Sequence, residues 1–189
     1  VFLGVLSPAT GVFDYGPGPG TALGARYGLR LGGPFALEST FTYFPTQRSL
    51  IDPGRSEGDR KIGEVDADIL ALDARLRFSL TGDRAWRGLT PFVLAGAGVA
   101  MDLAGEDPAE ETLLEDDRFE FGTPFLGVLG TGVAWLATDR LQIRTDVGIL
   151  IWQIRAPKGY RDPSRGLVGV DNREWVGGPS LSLGAAFRF

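Results

Sequence analysis

The chain has 189 residues, 28 of them Gly and none Cys or His, with 24 acidic against 19 basic residues for a net charge of −5. Missing cysteine excludes a disulfide framework, a thiol nucleophile and a thiolate metal site, and missing histidine removes the commonest general base and transition-metal ligand. The net negative charge argues against a nucleic-acid partner, and no apolar run reaches the roughly 18 residues of a membrane-spanning helix.

What the chain does have is alternation. The length suits one domain over 1–189, and from the first residues onward apolar and polar positions exchange with a period of two. The first segment, 1–13, is the poorest fit, interrupted by Pro8. Over 21–32, Leu23, Ala25, Tyr27, Leu29 and Leu31 alternate with Gly24, Arg26, Gly28 and Arg30. Gly32, Gly33 and Pro34 predict a tight turn, after which Phe35, Leu37, Phe41 and Tyr43 alternate with Glu38, Thr40 and Thr42.

The charged stretch 45–65 has no apolar period and reads as an exposed connection. Leu70, Leu72, Ala74, Leu76 and Phe78 then face one way while Asp73, Arg75 and Arg77 face the other. After a shorter linker, 81–89, the strand 90–103 has Gly or apolar residues on both faces, and Asp102 assigns its even positions inward. The connection 104–121 is strongly acidic, with eight Asp and Glu against Arg118 alone. A Gly-punctuated strand, 125–136, turns through 137–139 into a strand where Leu141, Ile143, Val147 and Ile149 alternate with Arg144 and Asp146. A fourth long connection, 155–174, carries five basic and three acidic residues and leads to the last strand, with Leu181, Leu183, Phe187 and Phe189 on one face and Ser180, Ser182 and Arg188 on the other.

Eight strands with long and short connections in alternation predict an all-β, eight-stranded, antiparallel, up-and-down transmembrane β-barrel, both termini at the short-turn end. Volume decides which face points in. An eight-stranded barrel has room only for side chains, and the many Phe, Leu and Ile residues would overfill it. Pointing them outward leaves a polar, Arg-rich lumen of Arg26, Arg30, Glu38, Asp73, Arg75, Arg77, Arg144, Asp146 and Arg188, expected to pair between neighbouring strands: Arg26 and Arg30 with Glu38, Glu38 near Arg75, Arg144 and Asp146 beside Arg188. Tyr27, Tyr43, Trp135, Trp175, Phe187 and Phe189 fall in the outward phase as membrane-interface aromatics; Trp152 falls in the inward phase, as a plug near the mouth. The runner-up is a soluble lipocalin-type barrel with the faces reversed.

The terminal AAFRF, with Phe187 and Phe189 two apart, and the GARYGLRLGGPFALE run around 24–38 resemble the OmpA/OmpX-like small outer-membrane β-barrels of Gram-negative bacteria. That resemblance implies an outer-membrane location, a signal peptide already removed, lipid and lipopolysaccharide as surroundings, and recognition by the barrel assembly machinery through Phe189. Barrel enzymes of this kind generally rely on a His base, and this chain has none; the carboxylates Glu38, Asp73 and Asp146 are expected to be held ionised by Arg. No catalytic, cofactor or metal residue is therefore expected. The expected role is structural or interactive, carried by the long loops. The alternatives are a narrow pore or conduit for small molecules and a self-assembling subunit of a homo-oligomer or filament. The acidic 104–121 loop lacks the spacing of a dedicated calcium loop and is expected to be solvated or paired with the basic fourth connection, with divalent-cation bridging to lipopolysaccharide as its alternative.

Overall fold

The computed structural model describes every residue except Asp83, Val168 and Phe189. Eight strands run β1 (Phe2–Leu6), β2 (Gly20–Gly32), β3 (Phe35–Ile51), β4 (Lys61–Ser79), β5 (Leu89–Asp102), β6 (Phe125–Leu136), β7 (Leu141–Arg155) and β8 (Arg173–Phe187). Each pairs antiparallel with the next, and β1 pairs with β8, so the sheet closes on itself. Over the height at which all eight strands pair, closure leaves no unpaired edge, the solution open to a sheet whose backbone must be satisfied internally.

Period-two patterning becomes two surfaces. Outside stand Leu23, Tyr27, Leu29, Phe41, Leu72, Leu76, Leu129, Val147, Ile149 and Leu181, each at least two-fifths exposed. At the short-turn end the wall carries Phe35, Phe78, Trp86, Trp135 and Phe187; at the long-loop end it carries Phe125 and Trp175, packed edge to face at 6.5 Å. At about 3.4 Å per residue and a tilt of about 40°, the rise from Phe125 to Trp135 along β6 is about 26 Å, the height of the apolar band of a membrane barrel.

Two features of the wall depart from the pattern read in the sequence. The stretch 45–65 is not a loop: β3 runs on to Ile51 and β4 begins at Lys61, in register from Pro45↔Asp68 through Leu50↔Gly63. Its outward residues, Gln47, Glu64 and Asp66, are polar because this hairpin rises above the apolar band, and that polarity hid its alternation. The first strand is short, five residues, but Pro8 does not break the seam. Beyond Leu6 the chain still follows β8, with Ser7 N donating to Pro179 O at 3.1 Å and Ala9 N to Gly177 O at 3.0 Å. A side chain at 178 would strike Ser7 and Pro8, so Gly178 leaves the space in which this segment lies.

The same argument applies beside the seam, where a Cβ at Gly24 would enter the Phe2 ring. Gly24→Leu is expected to destabilise the barrel by about 1–3 kcal/mol, read as a lower temperature for the shift in gel mobility between folded and heated protein in SDS. Gly28→Ala, whose new methyl would sit 3.6 Å from Glu38 Cγ, is expected to leave that temperature nearly unchanged.

Candidate functional site: a two-storey lumen and its loop cap

The inward face changes character with height. On β4 it reads Arg77, Arg75, Asp73, then Ala71, Ile69, Ala67, Val65; on β7 it reads Arg144, Asp146, Gly148, then Leu150, Trp152, Ile154; on β3 it reads Glu38, Thr40, Thr42, then Phe44. The lumen is therefore Arg-rich only in its short-turn half. Above that level it is mostly apolar, with Arg48 on β3 as its buried cation, a correction to the polar interior expected. The reason is what fills each half, since three loops descend into the upper one.

In the lower half, four arginines meet three carboxylates, and the main pairs cross the lumen instead of linking neighbours as expected. Arg144 Nη1 on β7 reaches Glu38 Oε1 on β3, diametrically opposite, at 2.7 Å, and Arg77 Nη1 on β4 lies 3.2 Å from the same oxygen. Arg26 Nη1 on β2 meets Asp146 Oδ2 on β7 at 2.8 Å, and its Nη2 donates to Ser182 Oγ on β8 at 2.9 Å. Arg144 also clamps Asp146, its Nη2 2.6 Å from Oδ1. Although Arg75 stands opposite Glu38 in the strand register, it turns along its own strand to Asp73, Nη2 to Oδ2 2.8 Å. Asp73 has no side-chain exposure and Glu38 only 4 %.

Two rings complete this layer. The Arg144 and Arg77 guanidiniums lie 4.3 and 5.4 Å from the Phe92 ring, and that of Arg26 lies 4.0 Å from Phe2. Cation–π contact here replaces part of the hydration that the burial removes. Of the residues assigned to the lumen, Arg26, Glu38, Asp73, Arg75, Arg77, Arg144 and Asp146 come together. Arg30 is exposed at the short-turn mouth, and Arg188, whose backbone N–H donates to Arg140 O at 2.8 Å, lies at the same end. Neither makes an ion pair among the described residues.

Of the outward aromatics, Tyr27, Trp135, Trp175 and Phe187 are exposed, and Tyr43 donates its hydroxyl to Asp68 Oδ1 at 2.8 Å. Phe189 lies outside the described residues. Trp152 is in the lumen, 1 % exposed.

The upper half is closed by the connections 7–19, 103–124 and 156–172. Tyr15, Phe119, Phe121 and Tyr160 pack over Phe44, Leu126, Trp152 and Ile154 as one buried cluster. Tyr15 lies 4.8 Å from Phe119 and 5.4 Å from Tyr160, ring to ring, and Tyr160 donates its hydroxyl to Ile51 O at 2.8 Å. Ion pairs pin these rings. Asp107 caps the short 3-10 turn Pro108–Thr112, whose Glu110 is buried against Arg48 on β3. Arg165 Nη1 binds Asp117 Oδ1 at 2.6 Å, and Lys158 binds Asp116 at 3.2 Å. The acidic and basic long connections thus bind each other. Sequence reading missed Glu110, Tyr15 and Tyr160 because loops have no period to read, and Arg48 because the end of its strand reads as a loop. The change from charged to apolar along the inward phases of β4 and β7 is the signal in the sequence that could have shown the two storeys.

No family model matches the chain, nor does any curated protein. Among solved structures it is similar to the crystal structure of the outer membrane protein OprG from Pseudomonas aeruginosa, at 14% sequence identity and a TM-score of 0.64, over 100% of this chain and 95% of that one.

Two outcomes follow from the lumen and the cap. Glu38→Ala leaves Arg144 and Arg77 without their shared carboxylate and is expected to cost about 3–5 kcal/mol; adding Arg144→Ala is expected to cost less than the two changes summed, as read by urea unfolding in lipid vesicles. In the cap, burial and then Glu174 push the Tyr15 hydroxyl up to about 12, and burial raises Tyr160 further. A tyrosine raised above its ordinary value near 10 stabilises the folded cap below that pH, and the contribution is lost as pH rises through about 12. Ultraviolet titration is expected to show a late ionisation step near that pH, missing from Tyr15→Phe. A Tyr15 step near pH 10 would contradict the packing. Closed ring, outward apolar band and matched neighbour together give this chain the eight-stranded fold of the small outer-membrane β-barrel proteins.

Proposed function

We propose that this chain is a non-enzymatic, non-conducting barrel of the bacterial outer membrane, with short turns toward the periplasm, whose work is structural or interactive and lies in the folded loop cap. The observation that supports this reading is the filled lumen, bridged by Arg144–Glu38 and Arg26–Asp146 below and packed with Trp152, Phe44 and Tyr160 above. A barrel plugged at both levels offers no path for ions, while its cap presents a fixed surface. Against catalysis stands the pairing of each interior carboxylate with Arg, in a chain with no His. Lipid and lipopolysaccharide around the wall, and recognition of the terminal aromatic by the assembly machinery, belong to the same reading.

One observation favours a narrow conduit as a second reading. A cavity of about 50 Å³ lies between the two storeys, bounded by Arg26, Arg75, Asp146, Leu94 and Leu150, where Gly4, Gly130 and Gly148 leave the wall without side chains. Planar-bilayer recording of the refolded protein separates the two. No current steps are expected from the wild type, nor from Glu38→Ala, in which the packed upper half still closes the lumen; regular openings in the wild type would overturn the plugged reading in favour of the conduit.

A further inference from the structure

The β7–β8 register places Arg155 directly opposite Arg173. Both are exposed, and both follow the outward phase of their strands, which Ile149 and Trp175 share. Like charges facing each other across a strand pair repel. Nothing among the described residues offsets this, since neither guanidinium has an ion pair or a side-chain hydrogen bond. The nearest acid along the strand, Glu174, points the other way and accepts from Val12 N in the first loop at 3.1 Å. Asp171 is exposed in the preceding loop and pairs with neither.

Height gives the pair its meaning. Arg173 stands one pleat, about 6.8 Å, beyond Trp175, whose ring packs on Phe125 at the upper edge of the apolar band. The headgroup layer outside the hydrocarbon is about 5–7 Å deep on each side, so two planar forks project from the wall at the level of lipid phosphates. The opposite side of the ring is acidic above the same edge. Outward on β4 stand Asp66, Asp68 beside Tyr43, and Glu64, which pairs with Lys61 at 2.6 Å.

We propose that Arg155 and Arg173 form a docking site for the phosphate of an anionic lipid headgroup, held on the outer wall above Trp175. One phosphate between two guanidiniums turns a repulsive cross-strand pair into two charge-assisted, fork-to-oxygen contacts. The lipid's chains then lie along the apolar wall below, against Trp175 and Phe125. The outward carboxylates of Asp66 and Asp68 on β4 repel the same headgroup, so the site has one address on the circumference. This rests on the membrane-spanning reading of the barrel.

Native mass spectrometry of the detergent-solubilised full chain with phosphatidic acid tests it, with phosphatidylcholine as the zwitterionic control. The wild type is expected to retain phosphatidic acid in preference to phosphatidylcholine, and R155Q/R173Q to lose that preference by about tenfold or more. R55Q/R60Q, at the tip of the β3–β4 hairpin, is expected to retain it. Heat-shifted gel mobility of each variant reports folding, and R155Q alone carries the test if the double variant does not fold. A second reading is the midpoint of thermal unfolding. Phosphatidic acid is expected to raise it for the wild type and not for R155Q/R173Q, whereas in uncharged detergent the double variant is as stable as the wild type or more so. Equal retention in both variants would sink the proposal. So would equal stabilisation of the wild type by inorganic phosphate, or a wild-type oligomer in uncharged detergent that R155Q/R173Q abolishes, which would make the occupant a second copy's acidic rim. A chain that never inserts into lipid and shows no gel shift would refute the membrane reading itself, separately from the Arg pair.

Discussion

The carboxylate of Glu38 is shared by guanidiniums from two other strands, one beside it and one across the lumen. An eight-stranded barrel is just narrow enough for that reach, and much else in the lower half follows. Long guanidinium arms cross an interior only if neighbouring inward positions are small, and Gly96, Gly98, Gly130, Gly132 and Ser182 supply the space. Gly98 shows the constraint directly, since a Cβ there would run into Asp73 and the backbone of Leu72. Burying four arginines with three carboxylates is costly in itself. The stacking of Arg144 and Arg77 on Phe92, and of Arg26 on Phe2, shields the cations that the carboxylates do not fully satisfy. The polar layer is a means of filling a tube with groups that point at one another, and its stability depends on no member being removed alone.

Closure, strand number and the outward face were legible because they rest on a period of two, and a strand half in lipid and half in a polar lumen obeys it strictly. Arg144 and Asp146, spaced two apart between Ile143 and Val147, could point nowhere else. Pairing was not legible. Glu38 faces Arg75 in the register, and only the curvature of the closed wall brings Arg144 nearer than its sheet neighbour. The extension of β3 and β4 escaped because alternation between two polar environments leaves no mark; Gln47 and Asp66 face water where Leu70 and Phe41 face the band. The cap escaped for a different reason. Tyr15, Phe119 and Tyr160 sit in irregular chain, and their burial depends on three loops meeting, which no local window records.

The two storeys divide the work of the molecule. Below, charge pairs fix the wall from within. Above, the aromatic cluster joins the wall to loops that would otherwise have little reason to hold one shape. Arg48 links the wall to the cap, a guanidinium on β3 above Phe44 that lies beside Phe119 and binds Glu110 in the third loop. Through it the acidic connection is tied to a strand, and through Asp117 and Arg165 it is tied to the fourth loop. The outer rim repeats this separation of charge sideways, with arginines over β7 and β8 and carboxylates over β4. The molecule is therefore asymmetric around its ring as well as along its axis.

The five-residue β1 has a consequence for the order of assembly. Its pairing with β2 is local, but Phe2 meets Gly184 only when nearly the entire chain has been laid down, so the seam is the contact with the largest loop-closure entropy and the last to form. The Glu38–Arg144 and Arg26–Asp146 bridges span the ring and cannot exist in an open sheet. Interactions that need the closed ring are expected to slow its reopening more than they speed its assembly. The charges across the interior thus keep the closed barrel shut.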